Sequence, residues 1–385
     1  MFLLRDVPDF SVNQKSVNRT LLLNAILRLQ PISQTQLSSE LNLSKSTVSR
    51  LVSELLSSGV LREMGTSKSN KNGRNPLLIG LNPDYRRSLV VKIGVNYSIL
   101  AIAEFSMELK YAEMFRTPES PESFIDYVVN FCRRNDNCNI DSVSVSIPGI
   151  VDKDFRHIIV TPNLGWRDLP FSEMLGSGVS GVVEKKIDVL LDNEANFAVI
   201  AEVVFGNRVQ EGDKNIVYIL FGEGIGTGLV INGQLYRGQW NTAGEFGHMI
   251  VKMSGRRCHC GNRGCWERYA SIGQVSDRDY LLPDSDKPVK QVDNQRLKEY
   301  AEVVAIGIAN IVNGLGPDLV IVGGTISAVW DRISGDVVRR VKEMSITDDA
   351  ARVRVVPSSF SKYPAELYGA ALWSFWDVFE GPVLV

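Results

Sequence analysis

Long apolar runs are missing from this 385-residue chain, and no stretch of 18 or more apolar residues occurs. That excludes a membrane-spanning helix. The first 16 residues mix charge, Pro8 and polar side chains without the apolar core of a secretory signal, so a cytoplasmic protein is expected. Histidine is scarce at three residues, and cysteine amounts to five, three of them within eight positions. Thiols so few and so unevenly spread exclude a disulfide scaffold and fit a reducing compartment; Cys132 and Cys138 acquire no role. Net charge is nearly absent at −2, yet 44% of the residues are apolar, enough for a full core in two or three domains.

The near-neutral total hides an asymmetry. Residues 18–82 hold eight basic side chains against three acidic ones, a window of +5 that leaves −7 for the rest. A small basic head on an acidic body points to a polyanion partner for the head alone.

The crowded cysteines are Cys258, Cys260 and Cys265, with Gly261 and Gly264 between them and His248 ten residues upstream. Three thiols at this spacing cannot all enter a hydrophobic core, but they can converge on one ion. Glycines free the backbone to fold the sulfurs back on one another. Zinc takes four such ligands tetrahedrally, with Zn–S near 2.3 Å. His248 is the natural fourth ligand, since His259 sits between two thiols already in use and His157 is the only other histidine. A structural zinc site of His248, Cys258, Cys260 and Cys265 is expected, against the plainer reading of reduced cysteines in a turn.

In the head, Asn18 to Leu29 has helical spacing, Pro31 interrupts, and Ser33 with Gln36 has the form of a capping box. A third helix follows the turn at Asn42 to Ser44, with Val48, Leu51, Val52, Leu55 and Leu56 on one face. Its other face carries Lys45, Ser46, Thr47, Ser49 and Arg50, short donors and acceptors with two cations. This is the build of a helix-turn-helix whose third helix enters the major groove. Two strands around a loop bearing Lys68, Lys71 and Arg74 make a wing that can follow phosphates. Operator DNA is the expected partner, with Lys45, Ser46, Thr47, Ser49, Arg50, Lys71 and Arg74 as candidate contacts. A protein-docking three-helix domain is the competing reading.

From Ser88 onward strands and helices alternate. Residues 89–95 and 99–103 read as a hairpin, 142–147, 187–191, 215–220 and 319–322 as core strands, and 123–132, 193–204 and 295–315 as helices. Strand pairs alternating with helices in two successive halves predict an α/β body with a cleft between lobes. Residues 274–294 read as an exposed excursion. A sugar in such a cleft needs planar hydrogen-bonding groups, chiefly carboxylates and amides, to fix its hydroxyls.

The segment Cys258, Cys260, Gly261, Gly264, Cys265, Glu267 and Ser271 resembles, without gap or mismatch, the signature of the ROK family (repressors, open reading frames and kinases). The likeness runs from about residue 86 to the C-terminus, and the basic head is typical of the family's repressor branch. The resemblance implies an actin-like (hexokinase-like, RNase H-like) two-lobed body behind a winged helix-turn-helix, divided at 1–85, 86–200 and 201–385. It also implies sugar binding by Asn163, Asn193, Glu245, His248 and Glu267, with Glu194 beside them. His248 can serve both sites only if one ring nitrogen takes zinc and the other faces the sugar.

Phosphoryl transfer asks for backbone N–H groups around the phosphates, a metal-handling carboxylate and a base. The family's kinases open their first phosphate loop as Asp-x-Gly-Gly-Thr; this chain has Lys92, Ile93, Gly94, Val95 and Asn96. The second loop keeps Gly222, Gly224 and Gly226 but places Glu223 among them, and the catalytic aspartate is replaced by Glu194. Gly323 and Gly324 resemble part of the adenosine segment. These changes predict a sugar-responsive repressor, with no membrane association, acting as a homodimer or dimer of dimers. The rival is an active ATP-dependent kinase of the glucokinase or N-acetylglucosamine kinase type, with Glu194 as base and ATP with Mg as cosubstrate.

Overall fold

The structure is a computed structural model that describes residues 14–66, 75–135, 139–271, 273 and 293–379. Helix α1 (Gln14–Leu29) is followed by the short strand β1 (Ile32–Ser33), α2 (Gln34–Glu40) and α3 (Lys45–Ser57). The Ser33 hydroxyl accepts from the Gln36 amide while the Gln36 side chain accepts from Ser33, so the capping box expected at α2 is formed. Strands β2 (Leu61–Thr66) and β3 (Leu77–Leu81) complete a three-stranded sheet in the order β1-β3-β2, the winged arrangement. Lys68, Lys71 and Arg74, Cys138 and nearly all of the 274–294 excursion lie outside the described residues.

The body is built from one strand pattern used twice. The first sheet comprises β4 (Arg87–Lys92), β5 (Tyr97–Glu104), β6 (Leu109–Arg116), β7 (Ser142–Ile147) and, later, β11 (Asp188–Asn193), ordered β11-β7-β4-β5-β6. Between them lie α4 (Pro121–Arg134), a small sheet of β8 (Ile150–Val151), β9 (Ile158–Thr161) and β10 (Trp166–Leu169), and α5 (Phe171–Val183). Helix α6 (Glu194–Phe205) leads into the second sheet: β12 (Ile216–Phe221), β13 (Ile225–Ile231), β14 (Gln234–Leu235) and, later, β15 (Leu319–Gly324) and β16 (Arg354–Pro357). Its order is β14-β13-β12-β15-β16. In each sheet an antiparallel meander joins parallel strands through its first member: β4 pairs antiparallel with β5 and parallel with β7, as β12 does with β13 and β15. The short α7 (Glu267–Ala270), then α8 (Asn294–Leu315) and α9 (Trp330–Met344), precede β16; α10 (Ala365–Ser374) and α11 (Trp376–Phe379) close the described chain.

Successive strand residues serve opposite faces. Leu89 and Val91 pack outward with α4 and α5, and Val217, Ile219 and Phe221 pack outward with α8 and α9. Val90, Ile216, Tyr218 and Leu220 turn inward to a shared core containing α6 and α10. Both faces of these strands are covered, which explains their unbroken apolar runs. The lobe division expected at residue 200 falls inside α6, and α10 returns to pack on α6, β4 and β7. The same core continues into the head through Leu22, Leu23 and Ile26 of α1.

Candidate functional site

The carboxyl ends of β7, β11, β12 and β15 open on a cavity of about 290 Å³ between the lobes. Ligands in open α/β sheets bind at such strand ends. All six residues expected to meet a sugar, Asn163, Asn193, Glu194, Glu245, His248 and Glu267, line this cavity. Asn193 caps α6: its Oδ1 accepts from Ala195 N at 2.8 Å and its Nδ2 donates to Gly149 O at 2.9 Å. Most of its amide is thus committed to the backbone, leaving one N–H and one lone pair. Of the glycines expected around phosphates, Gly94, Gly222, Gly224, Gly226 and Gly324 line the cavity with Asn96. Gly323 does not; the Tyr218 hydroxyl fills the space where its Cβ would stand, so this glycine serves sheet packing.

Glu194, Glu223, Glu245 and Glu267 line the walls, and burial shapes two of them. It pushes Glu194 up to about 7, an effect that Lys92 opposes and Glu366 reinforces. Burial likewise raises Glu245, against the pull of His248. Lys92, at the end of β4, pairs with the buried Glu366 at the start of α10. Burial works against its ammonium, but Glu366 and Glu194 outweigh that and hold its pKa above the ordinary lysine value.

Beside the cavity His248, Cys258, Cys260 and Cys265 each offer a ligand atom, all within 4.8 Å of one another. Cys260 Sγ lies 3.7 Å from Cys265 Sγ, and Cys258 Sγ lies 3.6 Å from His248 Nδ1. A tetrahedron with Zn–S near 2.3 Å has edges of about 3.8 Å, so the four atoms fit a metal ion. Gly261 and Gly264 have φ of 97° and 83°, the left-handed turns that fold the thiols together. Burial pushes the thiols of Cys258 and Cys265 up, and Glu267 adds to this at Cys258, so a cation is needed to make them thiolates at neutral pH.

The cluster joins the cavity directly. Cys258 Sγ donates to Glu267 Oε1 at 2.8 Å, while His248 turns Nδ1 toward Glu267 and Nε2 toward Glu245, each at 3.7 Å. The two ring nitrogens therefore face opposite sides. His259, set aside in the sequence as a redundant ligand, hydrogen-bonds Asn163 Oδ1 through Nδ1 at 2.8 Å. The buried Asp192 holds Arg237 at 2.6 Å across the lobes and Asn196 at 2.9 Å, pairings that sequence reasoning did not anticipate. Nothing in their spacing announces either contact.

On the head, α3 exposes Lys45, Ser46, Ser49 and Arg50. Thr47 is half-buried; its amide and hydroxyl both meet the capping hydroxyl of Ser44, which also touches Ser46 at 2.9 Å. Arg50 stands 3.9 Å from Glu54, a loose exposed pair that leaves its guanidinium facing outward.

Comparison with known proteins agrees with this geometry. The ROK family matches residues 88–375 and the MarR family residues 16–68. The xylose repressor of Bacillus subtilis (strain 168) is 33% identical over 329 residues, covering 81% of this chain and 83% of that protein. The crystal structure of a ROK family transcriptional regulator, a homolog of the E. coli MLC protein, superposes with a TM-score of 0.70 at 21% identity, covering 96% and 98% of the two chains. A ROK family glucokinase from Streptomyces griseus, in complex with glucose and AMPPNP, superposes with a TM-score of 0.60 at 25% identity, over 74% of this chain and 98% of that one. A winged head and a duplicated actin-like body carrying an uninterrupted cysteine signature thus make one assignment: this chain belongs to the ROK family.

Proposed function

We propose that this protein is a sugar-responsive transcriptional repressor, cytoplasmic and acting as a homodimer or dimer of dimers on a palindromic operator. The observation that carries the reading is the convergence of six amide, imidazole and carboxylate side chains on one small cavity in a chain headed by a winged helix-turn-helix. Asn163, Glu194, Glu245, His248 and Glu267 hold the sugar hydroxyls, and Asn193 sets the first turn of α6 from which Glu194 projects. A cavity near 290 Å³ lies at the low end of ligand clefts, about 300–1,000 Å³, and suits a single sugar ring. The cysteine cluster is a structural zinc site. Three thiolates and His248 close the tetrahedron and leave no position for activated water, so zinc fixes the loop bearing Glu267 and the His248 ring. Zinc, not a sugar, orders that wall.

In the head, Lys45, Ser46, Ser49 and Arg50 meet the major groove. Lys71 and Arg74 belong to the wing in this reading, and Thr47 acts through the cap of α3. Sugar changes operator affinity by binding one arrangement of the heads better than another. A thermal-shift screen of aldoses, with D-xylose included because of the relative's name, and operator footprinting with every sugar that binds, test the proposal together. A ligand preferring the native state raises apparent stability. Operator occupancy indifferent to all bound sugars would remove the sensor role.

One observation favours a second reading, an ATP-dependent sugar kinase: Glu194 near 7 is tuned as a general base should be. That reading requires sugar-dependent ADP release with ATP and Mg, abolished by Glu194→Gln.

A further inference from the structure

Two hairpin turns face each other across the cavity, one from each sheet. The turn after β4 carries Gly94, Val95 and Asn96; the turn after β12 carries Gly222, Glu223 and Gly224. Asn96 Nδ2 donates to Glu223 Oε1 at 2.5 Å, so the lobes are tied by a side-chain bond at the mouth of the cavity. The second turn also abuts the polar wall. A Cβ on Gly224 would lie 2.9 Å from Glu267 Oε2 and 3.0 Å from Asn163 Nδ2, so a larger residue there would push these two side chains aside.

The charges around this bond are lopsided. Among the described residues, Glu194, Glu223, Glu245 and Glu267 line the cavity against Lys92 as its only lysine or arginine, and Lys92 is already paired with Glu366. Glycine-rich turns with outward N–H groups ordinarily attract anions. Here a carboxylate stands between them, and a polyanion entering would meet like charge in a partly enclosed site, where Coulomb repulsion is weakly screened. An uncharged polyol pays no such penalty.

We propose that Glu223 sets the ligand class of this cleft: its carboxylate refuses nucleoside polyphosphates and, through Asn96, clasps the two lobes, so that the cleft closes on a neutral sugar without any nucleotide. The proposal rests on the sugar-binding reading for its ligand but not for its clasp. The bond between Asn96 and Glu223 takes the place of a bridging second ligand. The sugar therefore meets lobes already held at the closing distance.

The test uses the full-length protein. Calorimetry with Mg-AMPPNP, with and without the sugars found by the thermal-shift screen, is run on wild type, Asn96→Ala, Glu223→Ala, the double variant and the reversed pair Asn96→Glu with Glu223→Asn. In parallel, genetically encoded fluorophores at the exposed Tyr111 and Ile346, one on each lobe, report the lobe-to-lobe distance distribution without sugar. Wild type is expected to bind no Mg-AMPPNP at millimolar concentration. Each single variant should broaden the distance distribution and weaken sugar binding about tenfold, the double variant should be no worse than either single, and the reversed pair should recover both. Tight Mg-AMPPNP binding by wild type would overturn the exclusion; unchanged or additive distance distributions would overturn the clasp. If no sugar binds wild type, the sugar reading fails while the distance measurement still decides the clasp.

Discussion

His259 changes what the cysteine signature means at the level of single residues. It is flanked by Cys258 and Cys260, so whatever fixes those thiols fixes its ring, and its Nδ1 holds Asn163 Oδ1 from the opposite lobe at 2.8 Å. Donation from the ring commits Oδ1 and leaves Asn163 Nδ2 facing Gly224 at the cavity wall. His259→Ala should therefore retain one zinc per chain by metal analysis yet lose roughly threefold to tenfold in sugar affinity, the value of one hydrogen bond. A full loss of zinc in that variant would make His259 part of the metal site instead. Glu194 offers a second test at this scale. Its unfolded carboxyl ionises near 4.5 and its folded one near 7, so the folded state holds the extra proton between those values. The stabilisation from burying it neutral is complete below about 4.5 and is lost as pH rises through 7, amounting to at most about 3 kcal/mol. Denaturation of wild type and Glu194→Gln from pH 4.5 to 8 should show the wild type losing ground to the variant across that window. A constant difference between the two proteins would contradict the raised pKa.

The elements that the sequence made legible are those whose identity is set locally. The capping box at Ser33, the apolar stripe of α3, the alternating serines and valines of β7 and the apolar runs of β12 and β15 follow from spacing alone, and each stands within a few residues of its expected place. The six cavity residues were legible for a different reason: the resemblance to the ROK family implied them, and the fold brings all six to one cavity. What escaped is what needs two distant segments at once, such as Asp192 with Arg237, Asn96 with Glu223 and Lys92 with Glu366. Helix α1 shows the same limit within one element. Leu22 to Leu27 are all buried, Asn24 included, although the sequence offers a single apolar face at Leu22, Leu23, Ile26 and Leu27. The other face is covered by the body. For α3 the exposed Arg50 makes a loose pair with Glu54 at 3.9 Å that leaves it available to a base edge. Arg50→Ala and Lys45→Ala should each weaken operator binding by about 1–3 kcal/mol and relax preference at one base pair, whereas loss of a contact to phosphate alone would weaken all sequences alike and lower the salt dependence. Binding titrations on a set of single-base operator variants at two salt concentrations separate the two behaviours.

Across the whole molecule the head and cavity share a structural member. Helix α6 begins at the cavity with Glu194; α10 packs along α6 and continues into α11, which reaches the head. There Arg19 of the head reaches Val378 O at 3.4 Å, while within the body Arg86 pairs with Asp377 at 2.8 Å and Phe105 stacks on Phe379 with centroids 5.4 Å apart. Tyr85 and Phe375 meet the same Phe105 ring edge-on. Close-packed interfaces of this kind settle into discrete arrangements rather than deforming smoothly, so a shift of α6 on sugar binding has a route to the heads. Contiguity alone does not establish coupling; a variant that separates binding from response does. Phe379 is fully buried at the junction and lines no part of the cavity. Phe379→Leu keeps an apolar side chain of similar volume, a swap that typically costs below about 1.5 kcal/mol, but it removes the aromatic stack. The variant should bind sugar in calorimetry as wild type does and bind operator without sugar, while the sugar-induced change in operator affinity shrinks severalfold in gel-shift titrations. An undiminished change would place the transmission elsewhere.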